Sequence, residues 1–187
     1  MRGRVPPPAP GPLPARLALA PRRVVLASLV AAGLAGGTAY AGVRVATHDS
    51  LVGALAPPLA GRALDGSWFD LRSWRGGPVL LSVWTPGAAH CREQLRLLSS
   101  VQQDLLAGGV RIVGLATTPS PDACREALAA SGAEGLLALP DEDGSRADAW
   151  GVRQESETFL VSGGGTVLDH LARPVDAPWL AQHATSA

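Results

Sequence analysis

Few side chains in this chain could do covalent chemistry. It has two cysteines, Cys91 and Cys124, and four histidines, of which only His90 adjoins a cysteine. A pair of thiols can exchange with disulfides when one attacks and the other resolves the mixed disulfide. A single activated thiolate can instead act as a lone nucleophile. Two cysteines are too few for a disulfide scaffold. His90-Cys91 has no C-x-x-C or H-x-x-x-H partner, so neither a metal nor a cofactor is expected. Cys124 shares the apolar side of its helix with Ala127 and Leu128 and reads as a small packing residue. A Cys91–Cys124 bridge would need Cα atoms within about 7 Å. The two helices start at the same end of a parallel sheet but are expected to pack on opposite faces. Trp68, Trp74, Trp84, Trp150 and Trp179 read as core and edge packing.

The elements that must hold these residues alternate between strand and helix. Ala63-Leu64 and Ser67-Trp68-Phe69 around Asp65-Gly66 predict a hairpin with a type I′ turn. The apolar run Val79–Trp84 predicts a central strand buried on both faces, broken by Pro86-Gly87. Cys91, Leu95, Leu98, Val101 and Leu105 recur at helical spacing until Gly108-Gly109. A second buried strand is expected at Val110–Ala116. Ser120-Pro121-Asp122 then supplies a capping hydroxyl, a first-turn proline and an acid for a helix running to about Ser131. A short strand (Leu136–Leu139), a short helix (Ser145–Trp150), a hairpin (Thr158–Val161 with Thr166–Asp169) and a closing helix (Pro178–His183) complete the chain. One mixed sheet across residues 57–183 is expected, with the Cys91 helix at the C-terminal end of the Val79–Trp84 strand.

Ahead of this body the composition changes. Residues 1–48 hold six arginines and no acid; residues 49–187 hold ten arginines and all sixteen acids, a balance of −6. An acidic body leaves no basic face for phosphates, which argues against a nucleic-acid partner. Residues 5–14 are proline-rich and read as disordered. Arg22-Arg23, an uncharged stretch at residues 24–43 and Arg44 then follow. Twenty residues at about 1.5 Å each match the thickness of a bilayer core. The basic N-terminal flank predicts a cytoplasmic N-terminus and an exported body. The stretch reads as a retained anchor, partnering the membrane through residues 24–43, or as an export signal cleaved near Ala41 in Ala39-Tyr40-Ala41. The organisation expected is a disordered Pro/Arg-rich cytoplasmic tail (1–21), an anchor or signal (22–44), a linker (45–56) and a folded domain (57–187).

Several segments together resemble one family. Leu64-Asp65-Gly66, Asp70-Leu71, Trp74-Arg75-Gly76 and Pro78–Trp84, then Cys91-Arg92 with Leu95, then Trp150-Gly151-Val152-Arg153 with Thr158-Phe159-Leu160, resemble the TlpA-like membrane-anchored thiol–disulfide oxidoreductases, ResA and the cytochrome c maturation thioredoxins among them. The resemblance spans about residues 52–183. It implies an α/β fold, a thioredoxin-like three-layer sandwich behind an N-terminal anchor or signal. Laid on the family's W-C-x-x-C, this chain reads Gly87-Ala88-Ala89-His90-Cys91, so the first cysteine is Ala88. Gln94 stands for the motif's glutamate and Arg96 for its helix proline. The cis-proline that faces the cysteines falls at Ser156, and no proline lies between Pro140 and Pro174. Glu155 and Glu157 flank that position and read as a solvated acidic loop.

The scaffold matches and the dithiol chemistry does not. Without a cysteine at 88, a mixed disulfide at Cys91 has no neighbouring thiol to release it. The function expected is a non-catalytic binding or assembly module, using the family's groove for a protein partner outside the cytoplasm, with His90 and Cys91 as structural remnants. The alternative is residual thiol chemistry at Cys91: monothiol exchange, a couple with Cys124, or peroxide reduction. For the last, Arg92 and Arg153 are available as activating charges. Peroxidases of this fold carry P-x-x-x-T/S-x-x-C, however, and here Pro86 is too close and Ala88 replaces the hydroxyl.

Overall fold

The computed structural model describes residues 51–183, so the expected tail and anchor, the first half of the linker and the last four residues lie outside the described part. Among the described residues no helix is long and apolar enough to cross a membrane. The chain runs β1 (Ala60–Arg62), β2 (Trp68–Asp70), a 3-10 turn (Leu71–Trp74), β3 (Val79–Trp84), α1 (Cys91–Ala107), β4 (Arg111–Ala116), α2 (Pro121–Ala129), β5 (Ala138–Pro140), α3 (Ser145–Ala149), β6 (Ser156–Val161), β7 (Val167–Leu171) and α4 (Ala177–His183).

Five strands form a mixed sheet in the order β5-β4-β3-β6-β7, parallel among the first three and antiparallel beyond β3. All six residues of β3 are buried. Val79, Leu81 and Val83 face one core while Leu80 and Trp84 face the other, the period-two alternation of a strand covered on both sides. β3 is central, and α1 leaves its C-terminal end, as the sequence predicts. β1 and β2, in contrast, form a separate two-stranded sheet. Phe69 from this hairpin packs in the same core as Val79, Leu81 and Val83, and the Leu64 N–H donates to the Ala138 carbonyl on the edge strand at 2.9 Å. Its turn also differs from the expected one. The Gly66 N–H donates to the Ala63 carbonyl, so Leu64 and Asp65 are the central residues and Gly66, at φ +86°, closes the turn.

The expectation that α1 and α2 lie on opposite faces is wrong. Leu95, Leu98 and Leu105 of α1 share one core with Cys124 and Leu128 of α2 and with Trp179 and Leu180 of α4. The reason is the strand order. β3, β4 and β5 step outward in one direction, and two right-handed crossovers in one direction put both helices on the same face. The other face is covered by the β1–β2 hairpin and α3, with Trp150 packed edge-on against Phe159 at 5.1 Å between centroids.

α2 begins as its sequence predicts. The Ser120 hydroxyl accepts from the Ala123 N–H at 3.2 Å, and Pro121 occupies the first turn. α1 has no such cap; His90 precedes it without a side-chain hydrogen bond to the helix. Its start is set by the loop, where Gly87 takes φ +84° and the Ala88 N–H donates to the Thr85 carbonyl.

Candidate functional site

The loop from β3 to α1 places the four motif positions. The Cys91 N–H donates to the Ala88 carbonyl at 3.1 Å, folding residues 88–91 into a single turn. Ala89 and His90 are exposed, Ala88 is half-buried and Cys91 is 3% exposed. The loop separates two cavities. One, of about 280 Å³, is lined by Ala88, His90, Gln154–Ser156 and Ala172–Pro174. The other, of about 330 Å³, lies toward α2 and is lined by Gly87–Ala89, Cys91, Arg92, Ala127, Ala130 and Ser131. Ala88 borders both; Cys91 borders only the second.

Both cysteines are free thiols. Burial pushes the Cys91 thiol above its ordinary value, against the pull of the Arg92 charge. Burial pushes Cys124 from 9.0 to about 11; Arg125 opposes this, and the Cys91 charge adds to it. Neither is an activated thiolate at neutral pH.

The sign of this shift gives a stability prediction. The folded state holds the Cys124 proton more tightly than the unfolded chain does. Its contribution is therefore full below about pH 9 and lost as pH rises toward about 11, on the order of 2–3 kcal/mol. The chain has no lysine and one tyrosine, Tyr40 in the leader, so few other groups titrate there. Urea midpoints of the wild type should fall across that range, and those of Cys124→Ala should fall much less. Equal slopes would contradict the assignment.

Two departures from the family motif touch each other. The Ser156 hydroxyl donates to Gln94 Oε1 at 2.7 Å, and Gln94 Nε2 donates to the Ser82 hydroxyl at 2.7 Å. Nε2 also faces the Val83 carbonyl, which can only accept, and this fixes the amide's orientation. Ser82, Gln94 and Ser156 are all buried. Where the motif has a carboxyl and a proline, this chain has a neutral hydrogen-bonded chain joining α1 to β3 and β6. Sequence reasoning missed Ser82; its signal is that it is the one polar residue in the run Val79–Trp84.

Glu157 departs from expectation as well. Glu155 is exposed, but Glu157 is 1% exposed and is not part of a solvated loop. Its Oε1 accepts from the backbone N–H groups of Arg153 and Gln154 at 2.6 and 2.7 Å. Its Oε2 lies 2.6 Å from His170 Nε2, and the His170 ring stacks on Phe159 at 4.2 Å. This carboxylate clamps the loop that forms one wall of the smaller cavity. Arg153, considered as an activating charge, is exposed and does not line the cavity that holds Cys91; Arg92 does. Trp84, Trp150 and Trp179 are core residues, whereas Trp68 is 72% exposed on the hairpin. Among the described residues no group of three or more metal-ligating side chains comes together.

The AhpC/TSA family model matches residues 52–170. The chain is 32% identical over 123 residues to the thiol:disulfide interchange protein DsbE of Yersinia pestis, a match covering 64% of this chain and 63% of that one. It is 31% identical over 106 residues to the thiol:disulfide interchange protein HelX of Rhodobacter capsulatus, covering 57% of each. The chain thus spans about three fifths of the length of these curated relatives. Among solved structures, a DsbE-type thiol:disulfide interchange protein of Chlorobium tepidum matches with a TM-score of 0.64 and 26% identity, over 70% of this chain and 93% of that one. A secreted disulfide oxidoreductase of Mycobacterium tuberculosis matches with a TM-score of 0.62 and 23% identity, over 69% and 96%.

Proposed function

The chain belongs to the AhpC/TSA family and has a thioredoxin-like α/β fold, and on that premise we propose that it is a membrane-tethered, extracytoplasmic TlpA-like protein that binds extended polypeptide without dithiol turnover at residues 88–91. The observation that carries this reading is the division of the motif loop. The groove keeps its walls, His90 on one side and Gln154–Ser156 and Ala172–Pro174 on the other, but the loop residue bordering it at the first motif position is the methyl group of Ala88. The only motif sulfur opens into the other cavity. A disulfide brought into the groove meets no thiol there.

Tethering and export rest on the acid-free leader, with residues 24–43 between Arg22-Arg23 and Arg44. The thiol-peroxidase alternative is weakened by the burial that raises Cys91, because a peroxide is reduced by an accessible thiolate.

A thiol-blocked unfolded polypeptide, such as dye-labelled carboxymethylated lactalbumin, tests the groove by fluorescence anisotropy. Saturable binding is expected for the wild type and unchanged for Cys91→Ser. Ala172→Trp, at an exposed position on the groove wall, should weaken binding at least about tenfold by filling the cavity. Loss of binding in Cys91→Ser, with none in Ala172→Trp, would overturn the reading.

A further inference from the structure

The groove lies at one end of the sheet, and the chain enters the fold at the other. Trp84, the last residue of β3, pairs with Ser156 of the groove wall, whereas Val79, the first, pairs with Arg111 and Val161. Five strand steps of about 3.3 Å separate the two ends by roughly 17 Å. The entering segment is fastened at the Val79 end. The Gly53 N–H donates to the Val167 carbonyl at 2.8 Å, the Val167 N–H to the Ala54 carbonyl at 2.9 Å, and the Ala56 N–H to the Gly165 carbonyl at 2.9 Å. Six residues, 45–50, separate Leu51 from Arg44, the basic flank of the stretch read as an anchor. That connection reaches about 25 Å at most. A tethered chain therefore keeps this pole close to its bilayer.

The side chains of the pole suit that position. Two cavities, of about 120 and 200 Å³, meet at Trp74, which lines both. Leu55, 70% exposed, borders the first, and Leu106, 50% exposed, borders the second. Arg72 and Arg75 line the first and Arg111 the second. Neither lining contains an acid, in a body where acids outnumber arginines by six. Arg72 is paired with Asp70 at 2.8 Å. Arg75 donates to the Gly164 carbonyl; Arg111 donates to the Trp74 carbonyl and lies 4.7 Å from the centre of its ring. Arg75 and Arg111 each spend one of five N–H donors this way, so both are held in place with donors left for a ligand. Exposed leucines, a half-buried tryptophan and fixed guanidiniums match a lipid interface. Apolar groups enter the acyl boundary there, while tryptophan and arginine stay among the headgroups.

We propose that this pole is a membrane-docking face for an anionic lipid surface. Leu55, Trp74 and Leu106 enter the headgroup–acyl boundary, and Arg72, Arg75 and Arg111 meet the lipid phosphates. The groove is thereby turned away from the bilayer, toward polypeptide arriving from solution. The proposal rests on the tethered reading and adds an orientation to it.

The test reconstitutes the full chain in vesicles of phosphatidylcholine with phosphatidylglycerol and a lipid carrying a diazirine near its headgroup. Alkaline carbonate extraction first reads the tether; after irradiation, peptide masses locate the lipid adducts. Adducts at 51–56 follow from the short connection alone, so the deciding peptides are 71–75 and 103–111, remote from it in sequence. Both should be labelled at least about fivefold more than 88–92 and 172–174 at the groove. Leu55→Glu with Leu106→Glu, both at exposed positions, should lower labelling of 71–75 at least about threefold, and so should vesicles of phosphatidylcholine alone. Polypeptide binding by the double variant should match the wild type. An inserted chain without adducts at the deciding peptides would overturn docking and leave the tether standing, whether the pole is bare or covered by a second copy. Equal labelling of both poles, or of wild type and double variant, would overturn it as well. A chain that carbonate extracts would overturn the tether, and docking with it.

Discussion

Ala88→Cys is expected to convert a protein that does not reduce insulin disulfides into one that does, at least about tenfold above the unmodified chain. The backbone is already suited to the change. The hydrogen bond from the Cys91 N–H to the Ala88 carbonyl holds residues 88 and 91 in a turn whose ends lie within about 7 Å, inside disulfide reach. A sulfur at 88 would border the groove and stand before the first turn of a 17-residue helix, where the dipole favours a thiolate. Cys91, buried behind it, would take the resolving role. Turnover should still fall below that of an ordinary thioredoxin, because the Ser156 hydroxyl is committed to Gln94 and the proline surface is absent. A Ser156→Pro change added to Ala88→Cys therefore tests the second loss, at the expense of the Gln94 bond. If the unmodified chain already reduces insulin at a typical thioredoxin rate, the division of thiol from groove is wrong. Loss of that rate in Cys124→Ser would make Cys91–Cys124 the working couple.

The sequence disclosed the scaffold because its signals are local. Six consecutive apolar-rich residues at Val79–Trp84 make a central strand wherever they are placed in this sheet, and Ser120-Pro121 starts α2 through a bond only three residues long. The site was legible in part for the same reason: the loss of a cysteine at 88 and of a proline at 156 can be read letter by letter. What replaced them could not. The Gln94 amide reaches Ser156 across 62 positions, and its partner Ser82 looks in the sequence like a small interruption of a strand. The side of the sheet that α2 takes depends on whether β5 lies outside β4, which no residue of α2 encodes. Glu157 misled for a related reason. Two positions from Glu155 it reads as half of a solvated pair, yet Glu155 lies in the exposed loop before β6 while Glu157 lies inside β6 with its side chain buried.

Glu157 accordingly carries the larger of the stability predictions. Its carboxylate is 1% exposed and is the acceptor for two backbone N–H groups and one imidazole. Charge-assisted bonds of this kind contribute more than neutral ones, and removing the acceptor leaves three part-buried donors unpaired. Glu157→Ala should therefore cost about 3–5 kcal/mol, the range for breaking a buried pair by deleting one partner. Glu157→Gln keeps an oxygen for the Arg153 and Gln154 N–H groups and a nitrogen facing His170, and should cost only about 1–2 kcal/mol. Glu155→Ala, in the loop just before β6 and exposed, should lie within about 0.5 kcal/mol of the wild type. Denaturant midpoints at one pH separate the three. The groove supplies a second readout, since Gln154 and Glu155 form its wall and Glu157 holds the Gln154 backbone. Under conditions where it remains folded, Glu157→Ala should bind the thiol-blocked polypeptide more weakly than Glu157→Gln. A Glu157→Ala protein as stable as Glu155→Ala would show that the clamp is not what orders this wall.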